Sequence, residues 1–180
     1  MTATLFDIAP AISRAWAMPS PDTFSCSPIG EFVARYLRGI SVDPFARNYR
    51  AATITNDLNP ATLADYHLDA RQFLDVLVTD GVMADVVLID PPYSPRQISE
   101  CYKSIGRPVS TADTQNAALY KEVRDRVMKI TMVGSVVLSF GWNSSGMVIG
   151  RGFRIEEILL VCHGSAHNDT ICVAEKRIRE

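Results

Sequence analysis

Apolar residues recur at helical spacing at Ile29, Phe32, Val33, Tyr36 and Leu37, which predicts a helix that Gly39 stops. The same spacing returns at Phe73, Leu74, Leu77 and Val78 and predicts a second helix over residues 70–80. Residues 113–130 carry a third helical pattern, with Asp113 as its cap. Between these segments lie shorter runs. Ile40-Ser41-Val42-Asp43 and Ala52-Thr53-Ile54-Thr55 read as brief strands ending at Pro44 and at Asn56-Asp57, and Tyr66-His67-Leu68 as a third before Asp69. Ala84 to Ile89 is an almost unbroken apolar run, as a strand covered on both faces of a parallel sheet requires, and Gly134 to Phe140 is another. Phe153 to His163 and Thr170 to Arg177 are longer strands joined by a turn at 164–169. Two segments are predicted to be loops: residues 10–28, broken by Pro10, Pro19, Pro21 and Pro28, and residues 94–112, broken by Pro95, Gly106 and Pro108.

Strands alternating with helices, then a terminal hairpin, predict an α/β fold. Its form is a Rossmann-like sandwich: a seven-stranded, mostly parallel sheet with a C-terminal antiparallel hairpin and helices on both faces. The 180 residues suit one domain spanning 1–180. No apolar run reaches transmembrane length, so no membrane is expected as a partner. The N-terminus has no basic stretch of the signal-peptide kind, and Cys26, Cys101, Cys162 and Cys172 form no Cys-x-x-Cys pair. A reducing, cytoplasmic setting follows as the expectation. The net charge of −2 changes one part of the picture: a polyanionic partner must meet a local positive face, because the whole surface does not supply one.

In open sheets of this kind, ligands bind beyond the carboxyl ends of the strands. The predicted strand ends carry Asp43, Asp57, Asp69 and Asp90. Asp90-Pro91-Pro92-Tyr93, directly after the run 84–89, is the strongest chemical signal. An exocyclic amine on a nucleobase is conjugated with its ring and is a poor nucleophile. A carboxylate can accept one amine hydrogen and the Pro91 carbonyl the other, which favours a tetrahedral nitrogen with its lone pair directed at a methyl donor. The two prolines stiffen the turn that holds these acceptors. Tyr93 can stack on the flat base. At the second strand, a carboxylate such as Asp57 suits the two hydroxyls of a ribose, and loop capping is its other common use.

These residues resemble the amino-methyltransferases of DNA marked by an Asp-Pro-Pro-Tyr motif, over nearly the whole chain. Asp43-Pro44-Phe45-Ala46 is similar to that family's first cofactor motif, Asn56-Asp57-Leu58-Asn59 to its acidic motif, and Asp69-Ala70 to its third. Phe24-Ser25-Cys26-Ser27-Pro28-Ile29 sits where the family's N-terminal motif meets the methionine end of the cofactor. The resemblance implies a sandwich of the S-adenosylmethionine-dependent methyltransferase type, with S-adenosyl-L-methionine as cofactor. It also implies methyl transfer to N6 of adenine in DNA, taken from a duplex by base flipping or from a single strand. Asp90, Pro91, Pro92 and Tyr93 become the catalytic residues. Asp57 takes the ribose hydroxyls, Asp69 the adenine amine, and Ser25, Pro28, Asp43, Pro44, Phe45, Ala46, Leu58 and Ala70 complete the cofactor site. Residues 1–28 are then an N-terminal extension that contributes to it. N4-cytosine or RNA-base methylation, and a non-catalytic partner subunit of the same fold, are the alternatives.

Two departures stand out. Ala46-Arg47-Asn48 replaces the Gly-x-Gly expected after Asp-Pro-Phe, and 180 residues leave no room for the family's target-recognition domain. Either specificity is low, or a specificity subunit or a homodimer supplies it, or the segment 94–112 itself does the reading. Arg96, Lys103 and Arg107 in that segment are the candidate phosphate contacts, and the segment is expected to be a mobile lid that orders over the base. Trp142 and Asn143 after the fifth strand either line the target-base pocket or fill core. His163 and His167 share a turn with Asp169. The chemistry needs no metal there, so target contact or turn chemistry is the expectation.

Overall fold

The computed structural model describes residues 9–92, 94–106, 108, 116–147, 150–164 and 167–180. Seven strands form one sheet: β1 (Ala11–Trp16), β2 (Ser41–Asp43), β3 (Ile54–Thr55), β4 (Ala84–Ile89), β5 (Thr131–Gly141), β6 (Phe153–Cys162) and β7 (Thr170–Arg177). Their spatial order is β1-β6-β7-β5-β4-β2-β3. β7 is antiparallel to both neighbours, and the other described pairings are parallel. This is the predicted architecture, with the predicted antiparallel hairpin.

Alternation along the central strands builds two cores. On β4, Val86 and Leu88 enter one apolar cluster and Val87 and Ile89 the other, which Ala84 joins across a register shift between Ala84 and Val86. Successive side chains point to opposite faces, so one continuous apolar run serves both. Helix α1 (Ser27–Tyr36) covers the first face with Ile29, Phe32 and Val33. Helices α2 (Ala70–Thr79) and α4 (Asn116–Val127) cover the second, with Phe73, Leu74 and Leu77 meeting Val123 and Val127. Fully burying such side chains contributes about 1.5–3 kcal/mol each before conformational entropy is subtracted.

The strand count agrees with expectation, but the membership differs. Tyr66 contributes only an isolated parallel bridge to Asn56. The seventh strand is β1, inside the segment predicted as loop. It lies at the sheet edge, parallel to β6, in register from Ala11 opposite Glu157 to Trp16 opposite Cys162. Most of its residues are exposed, so the chain carries no alternation there to betray a strand.

The segment 94–112 also departs from expectation. Helix α3 (Pro95–Ser104) occupies most of its described part. The Ser94 hydroxyl caps it, accepting from Gln97 N at 3.2 Å, and Pro95 opens it, where a missing N–H costs nothing. Ile98 and Tyr102, one turn apart, are buried. The expectation of a loop is therefore corrected over 95–104: a capped helix with two buried side chains stands there. Arg107 and all of 109–115, with the cap Asp113, lie outside the described residues, as does Tyr93.

Candidate active site

The carboxyl ends of β2, β3, β4 and β5 open on a cleft of about 810 Å³, closed on its far side by the β6–β7 turn. Asp43 ends β2 beneath its floor with no exposed surface. One carboxylate oxygen accepts from Phe45 N at 3.0 Å, and the other has no hydrogen-bond partner among the described residues. Burial pushes this carboxyl well above the usual carboxylate range; the Phe45 N–H opposes the shift, and the nearby charges of Asp90 and Asp57 add to it. Pro44 and Phe45 reach the cleft wall, whereas Ala46 is buried behind it.

Asn56 holds the strand ends together from a fully buried position. Its amide nitrogen donates to the carbonyls of Pro44 and Leu68, both at 3.0 Å, and its amide oxygen accepts from Leu68 N at 3.0 Å. Backbone bonds continue the seam: Asn56 N donates to Asp43 O at 2.8 Å, and Ala46 N donates to Asn56 O at 2.8 Å. Asp57 and Leu58 are thereby presented to the cleft. Asp57 accepts from Arg47 N at 3.1 Å and Asn59 N at 2.8 Å, one on each oxygen. A carboxylate has about four acceptor positions, so each oxygen keeps capacity for a hydroxyl.

Asp69 lines the cleft with Ala70, but its surroundings change its role. It caps α2 by accepting from Arg71 N at 3.0 Å, and the same oxygen accepts from Arg71 Nε at 2.8 Å. The other accepts from Arg71 Nη2 at 2.9 Å and from the Tyr102 hydroxyl at 3.0 Å. Burial alone would raise its pKa, but these donors outweigh burial and hold the carboxyl below the usual range. With all four acceptor positions engaged, the carboxylate as it stands has none left for an adenine amine. Through these bonds it fastens α3 to α2 while it lines the cleft.

β4 delivers Asp90 and Pro91 to the cleft, with Pro92 beside them. Asp90 is half-buried and Pro91 buried. Helix α3 supplies the adjoining wall through Gln97, Ile98, Cys101 and Tyr102. Arg96 points elsewhere, 87% exposed and paired with Glu100 at 2.8 Å, and Lys103 is exposed outside the cleft.

Across the cleft stand Trp142, His163, His167 and Asn168. Asn143 is turned away, its side chain accepting from Ser145 N at 2.9 Å and closing its own turn. His163 is buried, with Nδ1 2.7 Å from Ala17 O and Nε2 2.9 Å from the Thr170 hydroxyl. A carbonyl only accepts, so Nδ1 carries the hydrogen, and in the neutral ring Nε2 accepts from Thr170. The ring pins the chain leaving β1 to the β6–β7 turn. No group of three or more His, Cys, Asp or Glu among the described residues could hold a metal.

The N-terminal segment does reach the cleft, through residues other than those predicted. Pro19, Ser20, Pro21, Thr23 and Cys26 line it. Ser25 is exposed and bonds back to Asp22 O at 2.7 Å, because the 3₁₀ turn Thr23–Ser25 rotates it outward, and Pro28 lies in the first turn of α1 away from the cleft. Arg47, Asn48 and Tyr102 line the cleft without having been assigned to it from the sequence, and Asn56 entered only as part of the acidic motif. Arg47 and Asn48 were visible only as a break in an expected glycine turn, and Tyr102 not at all.

No family model matches the chain, and no curated protein matches it. Solved structures do. NSun6 from Pyrococcus horikoshii, crystallised with SFG, aligns over 78% of this chain at 14% identity with a TM-score of 0.52. TrmN from Thermus thermophilus aligns over 85% at 13% identity with a TM-score of 0.57. SMU.776 complexed with SAH aligns over 76% at 10% identity with a TM-score of 0.54. The chain has the S-adenosylmethionine-dependent methyltransferase fold. It spans under half of each of these chains, between 44% and 49% of their length.

Proposed function

We propose that this chain is an S-adenosylmethionine-dependent methyltransferase that modifies the N6 amine of adenine in DNA. The observation that carries the reading is the placement of Asp90-Pro91-Pro92 at the end of β4, in the same cleft as Asp57. The ligands SFG and SAH in two proteins of this fold support the choice of cofactor.

The residues present fit that cofactor. Asp57 has acceptor capacity for ribose hydroxyls. The charges of Asp57 and Asp90 both reach Asp43 beneath the cleft, and two carboxylates so close together suit a cationic donor. The buried, unpartnered oxygen of Asp43 is the sort of polar atom a bound group satisfies. S-adenosylmethionine supplies an electrophilic methyl group on a sulfonium. The chain's own residues do the rest. The Asp90 carboxylate accepts one hydrogen of the amine and the Pro91 carbonyl the other, which turns the nitrogen lone pair out of conjugation. As the N–C bond forms and the C–S bond breaks, the amine proton leaves to Asp90 or to water. Fixed acceptors in a cleft are effective because they need no reorganisation when charge moves.

Incubation with labelled donor and DNA or RNA, followed by digestion to nucleosides, tests the reading. N6-methyladenine from DNA is the expected product. N4-methylcytosine or a labelled ribonucleoside would reassign the target, and donor binding without transfer to any nucleic acid would favour a non-catalytic partner subunit.

A further inference from the structure

Arg47 is the middle residue of Ala46-Arg47-Asn48, the turn that stands in place of Gly-x-Gly after Asp43-Pro44-Phe45. Its φ is 50°, the one non-glycine value in the left-handed region among the described residues. A side chain with a Cβ adopts that conformation at a cost, and the cost is tolerated where surroundings fix it. Here three contacts do so. The backbone N–H donates to Asp57 Oδ2 at 3.1 Å. The guanidinium donates through Nη1 to the carbonyl of Pro21. Its Nε lies 3.6 Å from Asp22 Oδ1.

Pro21 and Asp22 are the middle of a strap that crosses from the end of β1 to the start of α1. One end is fixed by Ala17 N donating to Cys162 O at 3.2 Å and by His163 on Ala17 O. The other is fixed by Cys26, 4% exposed, whose thiol donates to Met18 O at 3.7 Å. Between these ends Pro19, Ser20, Pro21 and Thr23 face the cleft.

We propose that Arg47 is a donor-positioning residue: its main chain sets the Asp57 carboxylate, and its side chain straps residues 17–26 over the same end of the cleft. The idea rests on the cofactor reading above. One residue thereby ties the Asp57 carboxylate and the strap to the same turn.

Arg47→Gly separates the two parts. It keeps the N–H to Asp57, relieves the backbone and releases the strap. Titration of S-adenosylhomocysteine without nucleic acid, by calorimetry and stopped-flow, reads the result. The Arg–Asp pair is exposed, so the expected loss of affinity is modest, roughly three- to tenfold, expressed as faster dissociation. The melting temperature of the ligand-free protein should not fall. Wild-type affinity should weaken as salt rises, and that of Arg47→Gly should weaken less. Arg47→Lys, which keeps the cation, should recover part of the affinity. Equal affinity and equal dissociation rates in wild type and Arg47→Gly would overturn the strap while leaving the cofactor reading intact. A melting temperature that falls together with affinity would reduce Arg47 to a structural residue. Wild-type protein that binds no S-adenosylhomocysteine would overturn the cofactor reading, and the strap with it.

Discussion

The two sides of the cleft are built differently. On the β2–β3–α2 side the acids that line the cleft are held: Asp57 by two backbone amides, Asp69 by Arg71 and Tyr102, with the strand ends tied by the buried Asn56. On the β5–β6–β7–β1 side, aromatic surface is left in solvent, with Trp142 45% and Trp16 68% exposed and His167 open beside them. The first side has the construction of a site for a small molecule of fixed shape, in which the acceptors are set before the ligand arrives. The second has room for something large to approach. Asp90 lies at the seam, and the proposed chemistry needs it there.

Removing the residue at the seam should have the largest effect. Asp90→Ala is expected to lower the transfer rate by about 10²–10³ or more, the scale of losing a fixed electrostatic contact to the reacting centre. Donor affinity should stay within a few-fold, because Asp90 is assigned to the amine. Single-turnover rates alongside donor titration check both halves. Transfer near the wild-type rate would strip Asp90 of its role, and a parallel collapse of donor binding would move it to the donor side.

Breaking the held side itself comes next. Asn56→Ala removes three side-chain hydrogen bonds and leaves the carbonyls of Pro44 and Leu68 and the N–H of Leu68 without this partner. The expected cost is about 3–4 kcal/mol of folding free energy, read from urea unfolding. Donor affinity should fall as well, because the loops carrying Asp43 and Asp57 lose their common anchor. A loss below about 1 kcal/mol would show that the backbone bonds suffice without Asn56.

The open side contains its own strain. Glu175 on β7 is 4% exposed and accepts from Met147 N at 2.6 Å, under the loop that leaves Trp142. Burial raises its pKa to about 7; the Met147 N–H and Arg124 oppose that rise without cancelling it. An acid whose folded pKa lies above its unfolded value binds its proton more tightly when folded. Its contribution to stability is therefore fully present below about pH 4.5, declines as pH rises toward about 7, and is gone above that. The span is about 3 kcal/mol, taking one pKa unit as about 1.4 kcal/mol. Glu175→Gln should flatten this part of the stability profile and make the protein more stable than wild type at pH 8. An unchanged slope between pH 5 and 7 would refute the assignment.

The same contrast explains what the sequence could show. Ala84 to Ile89 and the Phe73, Leu74, Leu77 stripe were legible because deep burial on a sheet or helix face imposes a period. β1 was not, since an edge strand with one partner buries little and imposes no alternation. Helix α3 was hidden by Pro95, read as a breaker although a first-turn proline is compatible with a helix. In the site, Asp57 and Asp90 were legible as acids at strand ends. The saturation of Asp69 was not, because its partner Tyr102 is 33 positions away and meets it only through the tertiary fold. Ser25 was assigned to the cleft, but a 3₁₀ turn gives that surface to Thr23 and Cys26 instead.

The smallest effect is expected from the open side. Trp142 follows β5 and reaches the cleft opposite the Asp69–Ala70 wall, so a stacked base is the contact its indole suits. Stacking on an aromatic contributes roughly 1–3 kcal/mol per base. It acts on the bound base before and during transfer alike, and uniform binding of that kind appears in KM rather than kcat. Trp142→Ala should therefore raise KM for DNA about tenfold, leave kcat within a factor of about two, and leave the donor's Kd unchanged. Trp142→Phe, which keeps a flat ring, should lie between Ala and wild type. The informative result is the pattern across these constants. A fall in kcat with KM unchanged would place the indole against the reacting amine, in the same group as Asp90. A weaker donor Kd would place it on the held side of the cleft and erase the division between the two walls.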